Sequence, residues 1–234
     1  MAPKREEEIV YGVAAARAVL NQRPRDVVRM SYEPSTELAG LAKIAAKHGV
    51  ATTRADERAL GAMANAVHHE GICLLVRPRK RVTVDELAGA RTLVALDGVG
   101  NPHNVGAILR TAAYFGVQGL LLARPPPLPP SAVRIAEGGA EHVALCFVDD
   151  LAGALARLRV PIVGAAPRAR HDALRYAWPS ACAIVLGGER RGLSDAVRAA
   201  CTDLVTIGPA SAHPVESLNV SVAAGILLAA RGVS

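Results

Sequence analysis

The sequence predicts an α/β protein in two parts, a small α/β unit followed by a larger domain built on a parallel sheet. From residue 92 onward, apolar strand-like runs alternate with helix-like segments, a pattern typical of parallel sheets covered on both faces. Hydrophobic residues are 51% and charged residues 21% of the 234 residues, the balance of a chain with a substantial core. Between the two patterns lies a basic stretch, residues 77–81.

The first part combines short strand and helix patterns. Strands are predicted at residues 27–30, 50–53 and 71–76, where apolar and β-branched residues cluster. Ser35 and Thr36 are suitable N-caps for a helix that continues to Lys47 and stops before Gly49. A second short helix begins at Asp56. Together they predict a small α/β unit of roughly 75 residues.

The second part repeats one pattern, an apolar strand followed in most cases by a helix. Strands are predicted at residues 92–96, 119–122, 143–148, 162–165, 183–186 and 204–207. Helices are predicted at residues 104–115, 151–159, 194–200 and 217–230. We therefore divide the chain into a first domain at 1–78, a linker at 79–91 and a sheet domain at 92–234.

The charge balance favours a polyanionic partner. The formal net charge is +6, from 27 Lys and Arg against 21 Asp and Glu, and a nucleic acid suits a basic chain of this kind. Aromatic residues are only 3% of the chain, so phosphate and shape recognition should outweigh base stacking. The cations of residues 77–81 suit either a solvated linker or a phosphate contact.

Secretion and membrane insertion are disfavoured. The first eight residues are highly charged, unlike a signal peptide, and no uncharged run approaches the roughly 20 residues of a membrane span. The cysteines are far apart, and each lies in an apolar run, which predicts buried free thiols rather than disulfides or metal ligands: Cys73, Cys146, Cys182 and Cys201. We expect a cytoplasmic protein without a metal or a membrane partner.

Two common nucleotide-binding fingerprints fail. After the first strand of the sheet domain, two glycines begin a dinucleotide-binding turn, but His103 stands where the third glycine belongs. The segment from Gly187 to Gly192 is similar to a phosphate loop, but Leu193 replaces its lysine. Glu189 also lies where phosphates would bind, so neither NAD nor ATP is the expected ligand.

Three polar clusters remain, each after a strand of the predicted sheet. They occupy residues 101–106, with Arg110 beyond them, 187–192, and 217–221. Each has an ordinary structural interpretation: Asn104 as a helix N-cap, Arg110 as a surface residue, the glycines as a turn, and the third cluster as helix caps. Because ligands bind beyond the carboxyl ends of parallel strands, the three clusters together predict a site.

Three segments closely resemble the motifs of the SpoU, or TrmH-type, RNA ribose methyltransferases of the SPOUT superfamily. They are residues 96–117 (LDGVGNPHNVGAILRTAAYFGV), 184–194 (IVLGGERRGLS) and 207–228 (IGPASAHPVESLNVSVAAGILL). The resemblance covers about residues 92–231. The first part resembles the family's RNA-binding accessory domain through Val10-Tyr11-Gly12, the Ala-rich helix after it, and the segment HHEGI at 68–72.

The resemblance implies a parallel sheet with a C-terminal trefoil knot, a homodimer, and methyl transfer from AdoMet to a ribose 2′-hydroxyl. The two-domain layout favours rRNA over tRNA as the substrate. The implied catalytic residues are Asn104, Arg110, Glu189, Ser217 and Asn219. The implied cofactor contacts are Gly187, Gly188, Ile207, Pro209 and Leu218.

The general base stays open between two residues. The pKa of a guanidinium, above about 12, makes Arg110 a costly base, so we expect it to hold a phosphate and stabilise the developing oxyanion. Glu189 is the competing base, or else it caps backbone N–H groups in its own loop. Contacts to the RNA backbone are expected from Arg17, Arg23, Arg25, Arg77, Arg79, Lys80 and Arg81.

Two other functions compete with methyl transfer. One is a catalytically weak RNA-binding or ribosome-assembly protein of the same fold, which the intact polar clusters disfavour. The other is a small-molecule α/β enzyme with a different cofactor, which the two failed fingerprints disfavour.

Overall fold

The computed structural model describes residues 7–123, 127–208 and 217–232. Within them the chain forms two compact units. The first unit contains residues 7–80 and 127–141, and the second contains the remainder. Residues 127–141 therefore fold with the first unit, although the sequence pattern groups them with the sheet domain.

The elements are numbered in chain order. The strands are β1 (Glu8–Tyr11), β2 (Val27–Tyr32), β3 (Ala51–Arg54), β4 (Ile72–Val76), β5 (Thr92–Asp97), β6 (Gly119–Leu122), β7 (Ala144–Phe147), β8 (Ile162–Ala165), β9 (His171–Asp172), β10 (Cys182–Gly187) and β11 (Asp203–Thr206). The helices are α1 (Val13–Gln22), α2 (Thr36–Lys47), α3 (Glu57–Ala64), α4 (Pro102–Tyr114), α5 (Pro130–Ile135), α6 (Leu151–Arg157), α7 (Asp195–Ala200) and α8 (Val220–Arg231).

The first unit is a mixed sheet in the order β1-β4-β2-β3. β4 runs antiparallel to β1 and β2, whereas β2 and β3 are parallel. Ser35 and Asp56 cap α2 and α3 by accepting hydrogen bonds from backbone N–H groups three residues on. The strands and both helices predicted from residue 27 onward are present, and β1 precedes the first of them.

Ion pairs of Arg134 and Glu141 anchor the segment 127–141 within the first unit. Its helix α5 contacts β1, and Arg134 Nη1 lies 2.9 Å from Glu70 Oε1. At its end, Arg23 Nε lies 2.7 Å from Glu141 Oε2, and both of these side chains are largely buried. The segment is therefore an integral part of the first unit.

The second unit is built on a seven-stranded parallel sheet in the order β7-β6-β5-β10-β8-β11-β9. The six predicted strands and the parallel sheet are confirmed. β9 is additional and contains only two residues. The central strands β5 and β10 are buried along almost their whole length, as expected for a sheet covered on both faces.

Two helices of the second unit begin differently from the prediction. α4 begins at Pro102, whose fixed φ suits the first helical position, and its cap is Asn101, whose Oδ1 accepts from His103 N at 2.9 Å. The prediction of Asn104 as the N-cap is therefore wrong. α8 begins at Val220 with Asn219 as its N-cap, as the capping interpretation of that cluster predicted.

The cysteines are free, as predicted. Cys73, Cys146 and Cys182 are buried and Cys201 is half-buried. Burial raises the pKa of the Cys73 thiol to about 11. In the part of the chain described, no helix has the length and apolar character required to cross a bilayer.

Candidate active site

Three predicted site residues from separate elements meet at the carboxyl ends of β5 and β10. Asn104 lies in the first turn of α4, Glu189 lies after β10, and Asn219 begins α8. Asn104 Nδ2 donates to Glu189 Oε1 at 2.6 Å, and Asn219 Nδ2 donates to the same oxygen at 3.1 Å. Asn219 Nδ2 also lies 3.1 Å from Asn104 Oδ1, which closes an amide–carboxylate triangle.

The triangle fixes three segments that are distant in sequence. Glu189 Oε1 accepts two amide donors, and charge-assisted hydrogen bonds of this kind are the strong ones. The remaining amide oxygen, Asn219 Oδ1, accepts from Ser221 N at 2.9 Å and from Ser221 Oγ at 2.6 Å. Asn104 is only 8% exposed, so its amide must be satisfied by the protein. The geometry gives Glu189 a holding function.

The glycines of the turn after β10 are required by close backbone packing. A Cβ on Gly187 would overlap the backbone of Gly192, and a Cβ on Gly188 would lie 2.7 Å from the Gly98 carbonyl oxygen. Gly188 N donates to Asp97 O, and Gly192 N donates to Gly188 O, each at 2.8 Å. The predicted structural turn is therefore present, and its backbone lies at the strand ends where a ligand is expected.

Asp97 is a site-forming residue that sequence reasoning missed. It ends β5, directly before the first polar cluster, and its Oδ2 accepts from Ser194 N at 2.7 Å. This bond ties the start of α7 to the end of β5, across 97 residues of sequence. The position of Asp97 at the end of a predicted strand was the signal that could have indicated a site residue. Its partner, Ser194, is too distant in sequence to be predicted from the neighbouring residues.

The other predicted site residues lie on α4, before α8 and just after β11. Arg110 is exposed on α4, and Ser217 is exposed before α8. Leu218 is 46% exposed beside Asn219, and Ile207 is half-buried just after β11. An apolar side chain that is open to solvent, such as Leu218, can contact the flat adenine ring of an adenosyl group. Pro209 lies outside the described residues.

Two of the predicted RNA-binding arginines take part in a buried ion cluster of the first unit. Arg23 lies 2.7 Å and Arg79 lies 3.3 Å from the Glu141 carboxylate. Arg79 Nη1 also donates to Ala140 O at 2.6 Å. Burial lowers the pKa of Arg79, although Glu141 opposes the shift. These two guanidinium groups are engaged within the protein.

The remaining predicted RNA-binding residues differ in their surroundings. Arg17 pairs with a glutamate of α2 at 2.8 Å, and both side chains are exposed. Arg77 Nη1 donates to the backbone oxygen of Arg25 at 2.7 Å. Lys80 and Arg81 are exposed, and the Arg81 guanidinium lies 6.0 Å from the centre of an aromatic ring. Their contacts with RNA stay a prediction.

No cluster of three or more His, Cys, Asp or Glu side chains suited to a metal ion occurs within residues 7–123, 127–208 and 217–232.

Comparison with known families decides the class of the protein. The model described as "SpoU rRNA Methylase family" matches residues 91–229. A second model, "RNA 2'-O ribose methyltransferase substrate binding", matches residues 9–82. The chain belongs to the SpoU rRNA methylase family.

Relatives of this SpoU methylase match along almost the whole chain. The "23S rRNA (guanosine-2'-O-)-methyltransferase RlmB" of Vibrio vulnificus (strain CMCP6) is 34% identical over 235 residues, with 94% of each chain covered. The "Uncharacterized tRNA/rRNA methyltransferase YfiF" of Escherichia coli O157:H7 is also 34% identical, with 95% of this chain and 67% of YfiF covered.

Solved structures share the fold of the SpoU methylase. An AdoMet-bound rRNA methyltransferase from Sinorhizobium meliloti superposes with a TM-score of 0.80 at 20% identity, covering 96% of this chain and 86% of the other. AviRb from Streptomyces viridochromogenes, in complex with AdoMet, gives a TM-score of 0.79 at 21% identity, covering 96% and 89%. The predicted family, the parallel-sheet fold and the RNA 2′-O-methyltransferase class are confirmed.

Proposed function

We propose that this chain methylates the ribose 2′-hydroxyl of a guanosine in 23S rRNA, in the cytoplasm. The observation that carries this proposal is the 34% identity to RlmB over 94% of both chains, because it includes the RNA-binding region as well as the sheet domain. In this proposal residues 1–78 bind RNA, residues 79–91 link the two domains, and residues 92–234 catalyse the methyl transfer. The complete triangle disfavours the alternative of a catalytically weak binding protein.

The methyl donor in this proposal is AdoMet, with no metal. When bound, AdoMet would supply a sulfonium methyl group whose carbon forms a bond to the 2′-oxygen as its bond to sulfur breaks, while the proton of the hydroxyl passes to solvent water. Leu218 and Ile207 would hold the adenosyl group by apolar contact, and Gly187 and Gly188 by their backbone. Pro209 is proposed as a further contact. The chain then has to align the hydroxyl and stabilise the charge that develops on it.

Arg110 is the residue that we assign to the ribose. It lies six residues after Asn104 on α4, about 9 Å along the helix axis at 1.5 Å per residue, so the triangle that holds α4 also positions Arg110. A guanidinium can hold the neighbouring phosphate bidentately and stabilise a developing alkoxide. Glu189 is already bound by two amides, which favours a positioning function over that of the base. Ser217 is proposed to contact the substrate beside Asn219.

We also propose that the protein is a homodimer with a C-terminal trefoil knot. Large apolar side chains left exposed on and beside α4 and α8 support a dimer: Tyr114 is 85%, Val222 51% and Leu218 46% exposed. The knot is proposed from the resemblance of residues 207–228 to the third motif of the family. Light scattering should give twice the chain mass of 24.3 kDa, and Tyr114→Glu should reduce it to the mass of one chain.

The function is tested by transfer of labelled methyl from AdoMet to unmodified transcripts of 23S rRNA, 16S rRNA and tRNA. We expect label in 23S rRNA, at a guanosine that becomes resistant to alkaline cleavage on its 3′ side. Arg110→Ala and Arg110→Lys should both lower kcat by about 100-fold or more, the usual effect of removing an oxyanion donor.

Arg198→Ala removes an exposed arginine from the same unit and should keep the wild-type rate. Label confined to tRNA or 16S rRNA would contradict the proposed substrate. A near-normal rate for Arg110→Lys would contradict the assignment of Arg110, since lysine lacks the planar fork.

A further inference from the structure

One face of the first-unit sheet is only partly covered. The strand registers place Tyr11, Cys73, Ser31 and Thr53 in one row across β1, β4, β2 and β3. The helix α3 covers one end of this row, where Leu60 packs against Tyr11 and Cys73. The other end, at Ser31 and Thr53, lies in an open groove beside α3.

The groove combines positive charge, hydroxyl groups and an apolar wall. Its volume is about 440 Å³, within the range of pockets that hold small ligands. β3 forms the outer edge, and its four residues are exposed. The lining includes Arg29, Ser31, Thr53, Arg54, Asp56, Ala59 and Met63.

The two arginines of the groove are available for a ligand. Across residues 7–123, 127–208 and 217–232, neither Arg29 nor Arg54 has an ion-pair or hydrogen-bond partner for its side chain. The carboxylate of Asp56 is engaged as the cap of α3, where Oδ1 accepts from Ala59 N at 2.8 Å. Arg29 and Arg54 differ in this respect from Arg23, whose guanidinium group forms an ion pair with the buried Glu141.

We propose that this groove is the surface by which the first unit binds its substrate RNA, a statement that rests on the proposed function. Arg29 and Arg54 contact phosphates, Thr53 hydrogen-bonds the backbone, and one unstacked base lies against Met63. Sequence-specific RNA recognition targets unpaired nucleotides, whose bases are free to leave the stack, while cations hold the phosphates. RNA fits better than an acidic peptide because the groove lies within residues 9–82, which match the substrate-binding model of RNA 2′-O ribose methyltransferases.

The test compares RNA binding by the full-length protein and by the double variant Arg29→Ala/Arg54→Ala. The probe is an unmodified 23S rRNA transcript, and the dissociation constant is measured over a series of salt concentrations. We expect binding at least tenfold weaker, and a salt slope reduced by about 1.4, since each single-strand phosphate contact contributes about 0.7. The KM for RNA should rise while kcat at saturating RNA stays unchanged.

A matched control removes the same charge elsewhere in the unit. Lys43→Ala/Lys47→Ala takes two exposed cations from α2 and should bind RNA within threefold of wild type. Ala59→Glu adds a negative charge to the groove at an exposed helix position, and it should weaken RNA binding without affecting AdoMet binding.

Each result decides the proposal. The proposal would be overturned if the arginine double variant bound RNA with wild-type affinity. It would also be overturned if the lysine and arginine double variants lost RNA affinity equally. If the wild-type protein binds the transcript but transfers no methyl group to it, the proposed function fails while the groove is still judged by the variants. If the double variant loses AdoMet binding as well, the groove is overturned, because the loss then follows from damage to the fold.

Discussion

Removing the Asn104 amide should loosen the second unit measurably. Asn104→Ala deletes the donor to Glu189 Oε1 and the acceptor for Asn219 Nδ2. A hydrogen bond to a charged group contributes about 1.5–3 kcal/mol and a neutral one about 1 kcal/mol. Because Asn219 still donates to Glu189, and because the exposed Glu189 and Asn219 side chains can bond to water instead, we expect a loss of about 2 kcal/mol in the free energy of unfolding.

The assay is urea unfolding followed by the fluorescence of Trp178, the single tryptophan of the chain, which lies in the second unit. Asn101→Ala is the matched control, since it removes only the N-cap of the same helix and should cost about 1 kcal/mol. In a double-mutant cycle, Asn104→Ala and Asn219→Ala should couple by about 1 kcal/mol, because both delete their shared hydrogen bond. Additive effects, or an Asn104→Ala loss no larger than that of the control, would refute the triangle as a unit.

Three further predictions concern packing and titration. Gly187→Ala should cost about 3 kcal/mol in urea unfolding, because its methyl group would overlap the backbone of Gly192; wild-type stability would contradict this. Iodoacetamide at about pH 8 should label Cys73 only after unfolding, since burial raises the pKa of its thiol to about 11, and mass spectrometry of the folded protein checks this. Burial, and to a smaller extent the hydrogen bond to Asp203, raises the pKa of Tyr176 from 10.0 to about 12. The protonated Tyr176 side chain therefore contributes fully to stability below pH 10, and this contribution is lost as the pH rises to 12. Tyr176→Phe should remove that part of the alkaline loss, and an unchanged alkaline profile would contradict it.

The second-unit sheet was predictable because its strands carry an unambiguous signal. β5 and β10 are apolar on both faces, which is rare outside buried parallel strands. By contrast, β9 contains only His171 and Asp172, and β1 begins with a glutamate next to a charged terminus. The two polar residues of β9 and the four mixed residues of β1 are too short a pattern to be distinguished from a loop by sequence.

The site was predictable in composition but not in connectivity. Asn101 directly precedes α4 and Asn104 lies in its first turn, and both are plausible caps on local rules. Asn101 becomes the cap because Pro102 starts the helix. Asn104 instead binds Glu189, a partner 85 residues away. Such a contact depends on strand order, which local spacing does not encode.

The anchoring of residues 127–141 in the first unit limits how this protein can be divided. The chain passes between the units three times, after residues 80, 126 and 141. A fragment lacking residues 1–80 would keep Glu141 but lose Arg23 and Arg79, its two buried cations. Replacing the first unit of this protein therefore requires the exchange of two separate pieces of sequence.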